Sequence, residues 1–266
     1  MHKHYNFSVN DVSAVYAGPG GKLWELLMGE QIHVGAADAT DMLAKKAGLD
    51  KKKGLYLLDI CSALGGPARH LAAKYDTKVV GLDITPEMIE EAKKRTAGNP
   101  VEENIEYRLG SALDIPAHDG TFDVVWGQDA WCYIRDKKRL IEETNRVLKI
   151  GGTLAFTDWI WGKIDVSKEE ADELMTFMVF PDLQTFDGYT SLVEKTGYKV
   201  MQKDYMGGKF AEKMDEYVGI LQSQKENIVD GFGDELYEQA EKGILGWQRA
   251  AHDDKVSVGM WIAKKK

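Results

Sequence analysis

An apolar stretch closed by an acid occurs twice in this chain: "LYLLD" ends at Asp59, and one helix later "VVGLD" ends at Asp83. Between them lie a turn of small residues, "CSALGG", and the helical segment "GPARHLAAKY". Buried strand, tight turn, helix and second buried strand make a βαβ unit, whose strands must lie parallel with a right-handed crossover. The alternation continues. "TPEMIEEAKKRTAG" reads as a helix with Thr85 as N-cap, Pro86 at its first position and Gly98 near its end. "NIEYRLGSA" is a third strand, "TFDVVWGQDA" a fourth, "KKRLIEETNRVLKIGG" a helix closed by glycines, and "GTLAFTDWIW" a fifth strand.

The flanks differ. Residues 1–50 are mostly helical and are read as a helical lid, with residues 51–266 as the core. Beyond Trp161 come helices near 169–178 and 188–196, the strand "YKVMQKDYM", a helical run over about 208–252 and a closing strand, "KVSVGMWIAKKK". The 208–252 run is expected to be an insertion packed near the site.

Bulk properties exclude several classes. With 43 acids against 34 Lys and Arg, the net charge of −9 argues against nucleic acid as a partner, because phosphate binding needs a basic face. Two distant cysteines, Cys61 and Cys132, point to a reducing compartment, and the cytoplasm is expected. "MHKHYNFSVN" has no apolar leader core, and no run reaches the ~18 apolar residues of a membrane span. The histidines lack metal-ligand spacing, so no metal is expected.

The turn after Asp59 can cradle a cofactor at the start of the following helix, with Gly65 and Gly66 admitting close backbone approach. Asp83, at the end of the second strand, can accept from both ribose hydroxyls. An acid facing a pyrophosphate would be a poor arrangement, and the first dinucleotide glycines are missing. An acid facing an α-ammonium is a good one. This favours S-adenosylmethionine over NAD(P).

With "LLDICSALGG", "VVGLDITPEMIEEA", "TFDVVWGQDA" and "RVLKIGGTLAFTD" in this order, the chain resembles class I S-adenosylmethionine-dependent methyltransferases over roughly residues 55–160. That resemblance implies a Rossmann-like α/β fold with a mostly parallel seven-stranded sheet and helices on both faces. The family's first motif has glycine where Cys61 and Ala63 stand; both are small. Ser111, followed by Ala112, occupies the place of the usual adenine-contacting acid. Asp59, Cys61, Ser62, Gly65, Asp83, Ile84, Ser111, Ala112 and Gln128 are the expected cofactor contacts. "WELLMGEQIHVG", "GQDAWCYIRDKKR" and "GILGWQ…VSVGMWIAKKK" resemble sarcosine/dimethylglycine N-methyltransferases, and more distantly phosphoethanolamine N-methyltransferases. This narrower likeness implies transfer to a small amine, with Tyr16 and His33 on a lid over the cofactor. Tyr133 stands where those enzymes commonly have histidine.

Methyl transfer to an amine needs alignment, a free lone pair and exclusion of water. Tyr16, Tyr133 and Asp129 are the candidates to hold or take the amine proton. Trp24, Trp131, Tyr133 and Trp159 are the candidates for an aromatic cage around a methylated ammonium, although of Trp131, Trp159 and Trp161 at most two are expected in the pocket. Alternatives are another acceptor (a phosphobase, an apolar carbon or a thiol), a non-catalytic cofactor-binding protein and, weakest, a dehydrogenase. Met175, Phe177, Met178 and Phe180 would suit a greasier acceptor. A monomer or homodimer is expected.

Overall fold

The computed structural model describes residues 5–266. Five strands run parallel: β1 (Tyr56–Ile60), β2 (Lys78–Asp83), β3 (Ile105–Leu109), β4 (Phe122–Gln128) and β5 (Leu148–Trp161). A sixth parallel strand of two residues, β6 (Gln184–Thr185), pairs with the end of β5, and β7 (Tyr198–Tyr205) and β8 (Val256–Lys265) complete the sheet. The order is β3-β2-β1-β4-β5-β8-β7, with β8 antiparallel to both neighbours. Eight strands therefore stand where seven were expected; the addition is β6, too short to leave a pattern in the sequence.

Burial explains the strand texture. The central strands are covered on both faces, so β1, β4 and β8 are nearly continuous runs of buried residues. The edge strand β7 instead alternates between more and less buried positions. Strand order reverses between β1 and β4, and a crevice opens above the carboxyl ends of strands at such a switch point.

Helices α4 (Gly66–Tyr75) and α5 (Pro86–Thr96) follow β1 and β2, and α6 (Lys137–Val147) follows β4. Helix α1 (Val9–Ala17) lines the crevice, while α2 (Pro19–Met28) packs against the C-terminal helical segment and α3 (Ala36–Ala47) against α4 and the sheet. Ser8 and Asp11 form a reciprocal capping box that starts α1. The Ser13 and Thr85 hydroxyls, 3.0 Å apart, tie α1 to the loop after β2. Thr85 is the N-cap residue of α5, but its side chain serves this tie and not the helix.

Beyond β5 come α7 (Lys168–Met178) and α8 (Phe186–Lys195). Residues 208–252 fold as α9 (Gly207–Ser223), α10 (Lys225–Phe232) and α11 (Asp234–His252). One apolar cluster joins Leu23, Trp24 and Leu27 of α2 to Met175 of α7, Met214 and Tyr217 of α9, and Trp247 of α11. Among the described residues, no helix is long and apolar enough to cross a membrane, and no cluster of His, Cys, Asp or Glu could hold a metal ion.

Candidate functional site

The loop after β1 takes a left-handed path at alternate positions: Cys61 (φ 62°), Ala63 (φ 43°) and Gly65 (φ 72°). The turn thus follows the course glycines would allow, at a cost of roughly 1–2 kcal/mol for each side chain held there. Of these three, Gly65 is sterically required, since a Cβ on it would lie 2.1 Å from the Tyr107 hydroxyl, and a Cβ on the following Gly66 would lie 2.6 Å from the Glu30 carbonyl oxygen. The loop is pinned by the Cys61 and Ser62 amides, which donate to the Leu82 carbonyl at 2.8 and 3.1 Å. Arg69 is buried on α4, where it donates to the Leu64 carbonyl and to Glu30, both at 2.8 Å. It therefore braces the loop and is not free to bind a ligand's carboxylate.

This loop borders a cavity of about 670 Å³ above the switch point. Asp83 accepts from the Ala63 amide through Oδ2 and from the Thr85 amide through Oδ1, both at 2.9 Å. Burial raises its pKa against the pull of those amides. Asp59 differs. It is 2% exposed, and its Oδ2 has no hydrogen-bond partner among the described residues. Burial, reinforced by the nearby Asp83 charge, pushes its carboxyl up to about 8. A buried acceptor left bare is costly, and a cationic donor group would relieve it.

The unpaired donor is Gln128. The indole N–H of Trp126, which can only donate, meets Gln128 Oε1 at 3.0 Å, and the Thr40 hydroxyl meets the same oxygen at 3.0 Å. The amide orientation is thereby fixed, and Nε2 is left buried without a partner. The Ser62 hydroxyl is likewise unpaired. Asp59 Oδ2, Ser62 Oγ and Gln128 Nε2 belong to residues lining one cavity and complement a zwitterion: an acceptor for its ammonium, donors for its carboxylate. S-adenosylmethionine carries that tail, so the residues present fit the cofactor.

Tyr16, from α1, and Tyr133, from the turn after β4, meet over the cavity with hydroxyls 2.8 Å apart and rings edge to face. Burial lifts both phenols well above their usual range, so the pair stays protonated. Asp129 has a left-handed backbone (φ 54°); its Oδ1 accepts from the Thr157 hydroxyl at 2.6 Å and its Oδ2 from the Val34 amide at 2.9 Å. Burial brings its carboxyl up to about 7. His33 is buried against Thr40 (2.9 Å) and Gln31 (3.1 Å), and desolvation lowers it to about 4, so it is neutral. Four non-glycine residues on the cavity wall are left-handed (Ile32, Cys61, Ala63 and Asp129), a concentration of backbone strain typical of functional sites.

Of the expected cofactor and proton-handling residues, the cavity wall brings together Tyr16, His33, Asp59, Cys61, Ser62, Asp83, Ile84, Ser111, Ala112, Gln128, Asp129 and Tyr133. Gly65 sits behind the wall as the N-cap of α4. The tryptophan cage requires correction. Trp131 is fully buried and stacked on Phe156 at 4.5 Å between ring centres. Trp159 packs against Phe180, Phe210 and Trp247, and Trp24 against Phe177. Trp24 and Trp159 face a void of only about 10 Å³. With both faces of β5 covered, its alternate side chains enter two cores and neither set reaches the cavity. Phe7, Gln31, Arg135 and Pro181 on the wall were not anticipated; distant segments bring them there, so no local pattern announces them.

Residues 58–156 match the family model described as "Methyltransferase domain". The glycine/sarcosine/dimethylglycine N-methyltransferase of Actinopolyspora halophila is 25% identical over 89% of this chain and 43% of its own length. The sarcosine/dimethylglycine N-methyltransferase of Halorhodospira halochloris is 35% identical over 49% of this chain and 50% of its own length. The chain thus spans about half the length of these curated relatives. In fold it is similar to phosphoethanolamine N-methyltransferase 2 of Haemonchus contortus, solved with phosphomonomethylethanolamine and S-adenosylhomocysteine: TM-score 0.89, 23% identity, 97% of this chain and 60% of the other.

Proposed function

We propose, from the premise that this chain carries a class I S-adenosylmethionine-dependent methyltransferase domain, that it transfers a methyl group to the nitrogen of a small amine of the sarcosine or dimethylglycine kind. The observation that carries this reading is the set of unpaired buried polar atoms carried by three residues that line one cavity: Asp59 Oδ2 against Ser62 Oγ and Gln128 Nε2. In this reading Asp59 holds the cofactor's α-ammonium, Ser62 and Gln128 its carboxylate, and Asp83 its ribose. When bound, the cofactor supplies an activated methyl group and a good leaving group.

The chain's own residues do the rest. Tyr16 and Tyr133 remain neutral phenols, so they orient the acceptor's lone pair and close the site to water; neither takes a proton at neutral pH. Asp129, at about 7, is the group able to accept the amine proton. Apart from Arg135 and the neutral His33, the acid–base side chains of Asp, Glu, Lys, Arg and His lining the cavity among the described residues are carboxyl groups, Asp59, Asp83, Asp129 and Asp136, of which Asp59 keeps its proton at neutral pH until a cation arrives. Such walls suit a cationic donor and an amine, and they disfavour a phosphate within the cavity. The Met and Phe residues offered for a greasy acceptor do not widen it: Phe177 and Met178 face the void of about 10 Å³. We infer a cytoplasmic protein, monomeric or homodimeric, without a nucleic-acid partner. A division into an N-terminal lid (residues 1–50) and a core is supported by α1, whose Val9, Val12, Ser13 and Tyr16 line the cavity.

The test is release of S-adenosylhomocysteine from a panel holding sarcosine, dimethylglycine, phosphoethanolamine, a fatty alkene and a thiol. Turnover is expected with the first two. Turnover confined to the alkene or thiol would overturn the amine reading, and tight cofactor binding with no turnover at all would favour a binding protein.

A further inference from the structure

A second depression opens beside the mouth of the cavity. It is an open groove of about 420 Å³ between the start of α6 and α8, and Arg135 and Asp136 line both hollows. Its walls are rich in cations: Arg135, Lys137, Lys138 and Lys195 against Asp136 and Asp182. Most of these are accounted for. Lys137 is buried, donates to the Ile134 carbonyl and lies 3.7 Å from Asp182. Lys138 stands 3.6 Å from Glu142, and Asp136 caps α6 by accepting from the Arg139 amide at 2.9 Å. Arg135 and Lys195 are exposed, and among the described residues neither has a carboxylate partner. Arg135 Nη2 donates to the backbone carbonyl of Tyr5, whose amide donates to the Pro181 carbonyl at 2.9 Å. The guanidinium thus sits at the junction of cavity and groove, holding a neutral oxygen where an anion would bind better.

We propose that this groove is a subsite for an anionic group on the acceptor, carboxylate or phosphate, separated from the methylated nitrogen by a spacer, with Arg135 and Lys195 as its cationic contacts. The inference rests on the amine reading above and deepens it: the nitrogen enters the acid-walled cavity and the anion stays outside. That division eases the conflict an acceptor as short as sarcosine meets inside, where its carboxylate lies among the carboxyl groups of Asp83 and Asp129, so sarcosine is expected to be turned over less efficiently than its longer homologues. A longer acceptor places each charge against its complement.

The experiment uses the full chain and ω-(methylamino) carboxylic acids of increasing chain length, the matching methylamino alkyl phosphates, and N-methylpropylamine as the uncharged comparison, followed by S-adenosylhomocysteine release. The expected result is that kcat/KM rises with spacer length, through KM and not kcat. In Lys195→Glu, the ratio of kcat/KM for the long anionic acceptors over that for N-methylpropylamine should fall about tenfold. Whichever of the carboxylate and phosphate series shows the larger fall identifies the anion. A ratio unchanged in both Lys195→Glu and Arg135→Gln overturns the subsite while leaving the amine reading intact. If no amine is turned over, the amine reading fails alone, and binding decides the subsite. Binding of 6-(methylamino)hexanoate and of inorganic phosphate is then followed by the NMR shift of the Arg135 Nε–H. A saturable shift abolished by Lys195→Glu supports the groove, and no shift refutes it.

Discussion

The amide of Ala63 donates to Oδ2 of Asp83 at 2.9 Å, joining the loop after β1 to the end of β2. With Oδ1 held by the Thr85 amide, the Asp83 carboxylate is fixed from two directions before any ligand arrives. Asp83→Asn replaces one acceptor by a donor that must face an amide. Loss of a hydrogen bond to a charged group costs about 1.5–3 kcal/mol, so the Kd for S-adenosylhomocysteine should rise ten- to a hundredfold by calorimetry. An unchanged Kd would remove Asp83 from the cofactor cradle.

Ala63 itself is left-handed. Ala63→Gly relieves roughly 1–2 kcal/mol of backbone strain and gives back about 0.4–1 kcal/mol through greater freedom of the unfolded chain. The net is a stabilisation of about 0.5–1 kcal/mol, read as a Tm higher by about 2 °C. A lower Tm would show that the methyl group packs better than the backbone argument allows.

Asp59 makes a prediction in pH. Its folded pKa of about 8 lies above the ordinary 3.8. Between those values the folded protein holds a proton that the unfolded chain has lost, so this group's contribution to stability is present at low pH and disappears as pH rises toward 8. A ligand ammonium at Asp59 would favour the carboxylate. Binding of S-adenosylhomocysteine at pH 7 should therefore release a proton, seen as a dependence of the calorimetric enthalpy on the buffer's ionisation heat. Asp129, at about 7, lines the same cavity, so Asp59→Asn is the control. Most of the release should vanish in that variant; its persistence would assign the proton elsewhere.

Trp159 fills a junction of three aromatic rings in the apolar cluster behind the site. Trp159→Phe leaves a void there and should cost about 1–3 kcal/mol of stability, visible in urea unfolding, with KM for the acceptor changed less than twofold. A rise in KM without loss of stability would restore this indole to the pocket.

The contrast between Asp83 and Trp159 marks what the sequence could show. Asp59 and Asp83 end apolar runs separated by one helix, a local pattern, and strand order then carries both to the crevice. Cys61 and Ala63 were legible as small residues, while their left-handed geometry emerges only with the loop folded against Leu82 and Asp83. The tryptophans were misleading because alternation along a strand shows which residues share a face, but not what covers that face. Here α9 and α11 cover it, and β5 has no open side. Gln128 was a site residue by its place at the end of β4; its unpaired Nε2 depends on Trp126 and Thr40, a partnership that no spacing reveals.

In the proposed function the acids near the ends of β1 and β2 hold the two ends of a sulfonium donor, and a crystal structure of the protein grown with S-adenosylhomocysteine decides whether they do. The ligand's ammonium should lie within hydrogen-bond reach of Asp59 Oδ2, its carboxylate toward Gln128 Nε2, and its ribose hydroxyls on Asp83. A ligand bound with Asp59 and Asp83 both untouched, or an empty crevice at saturating concentration, would contradict that proposal.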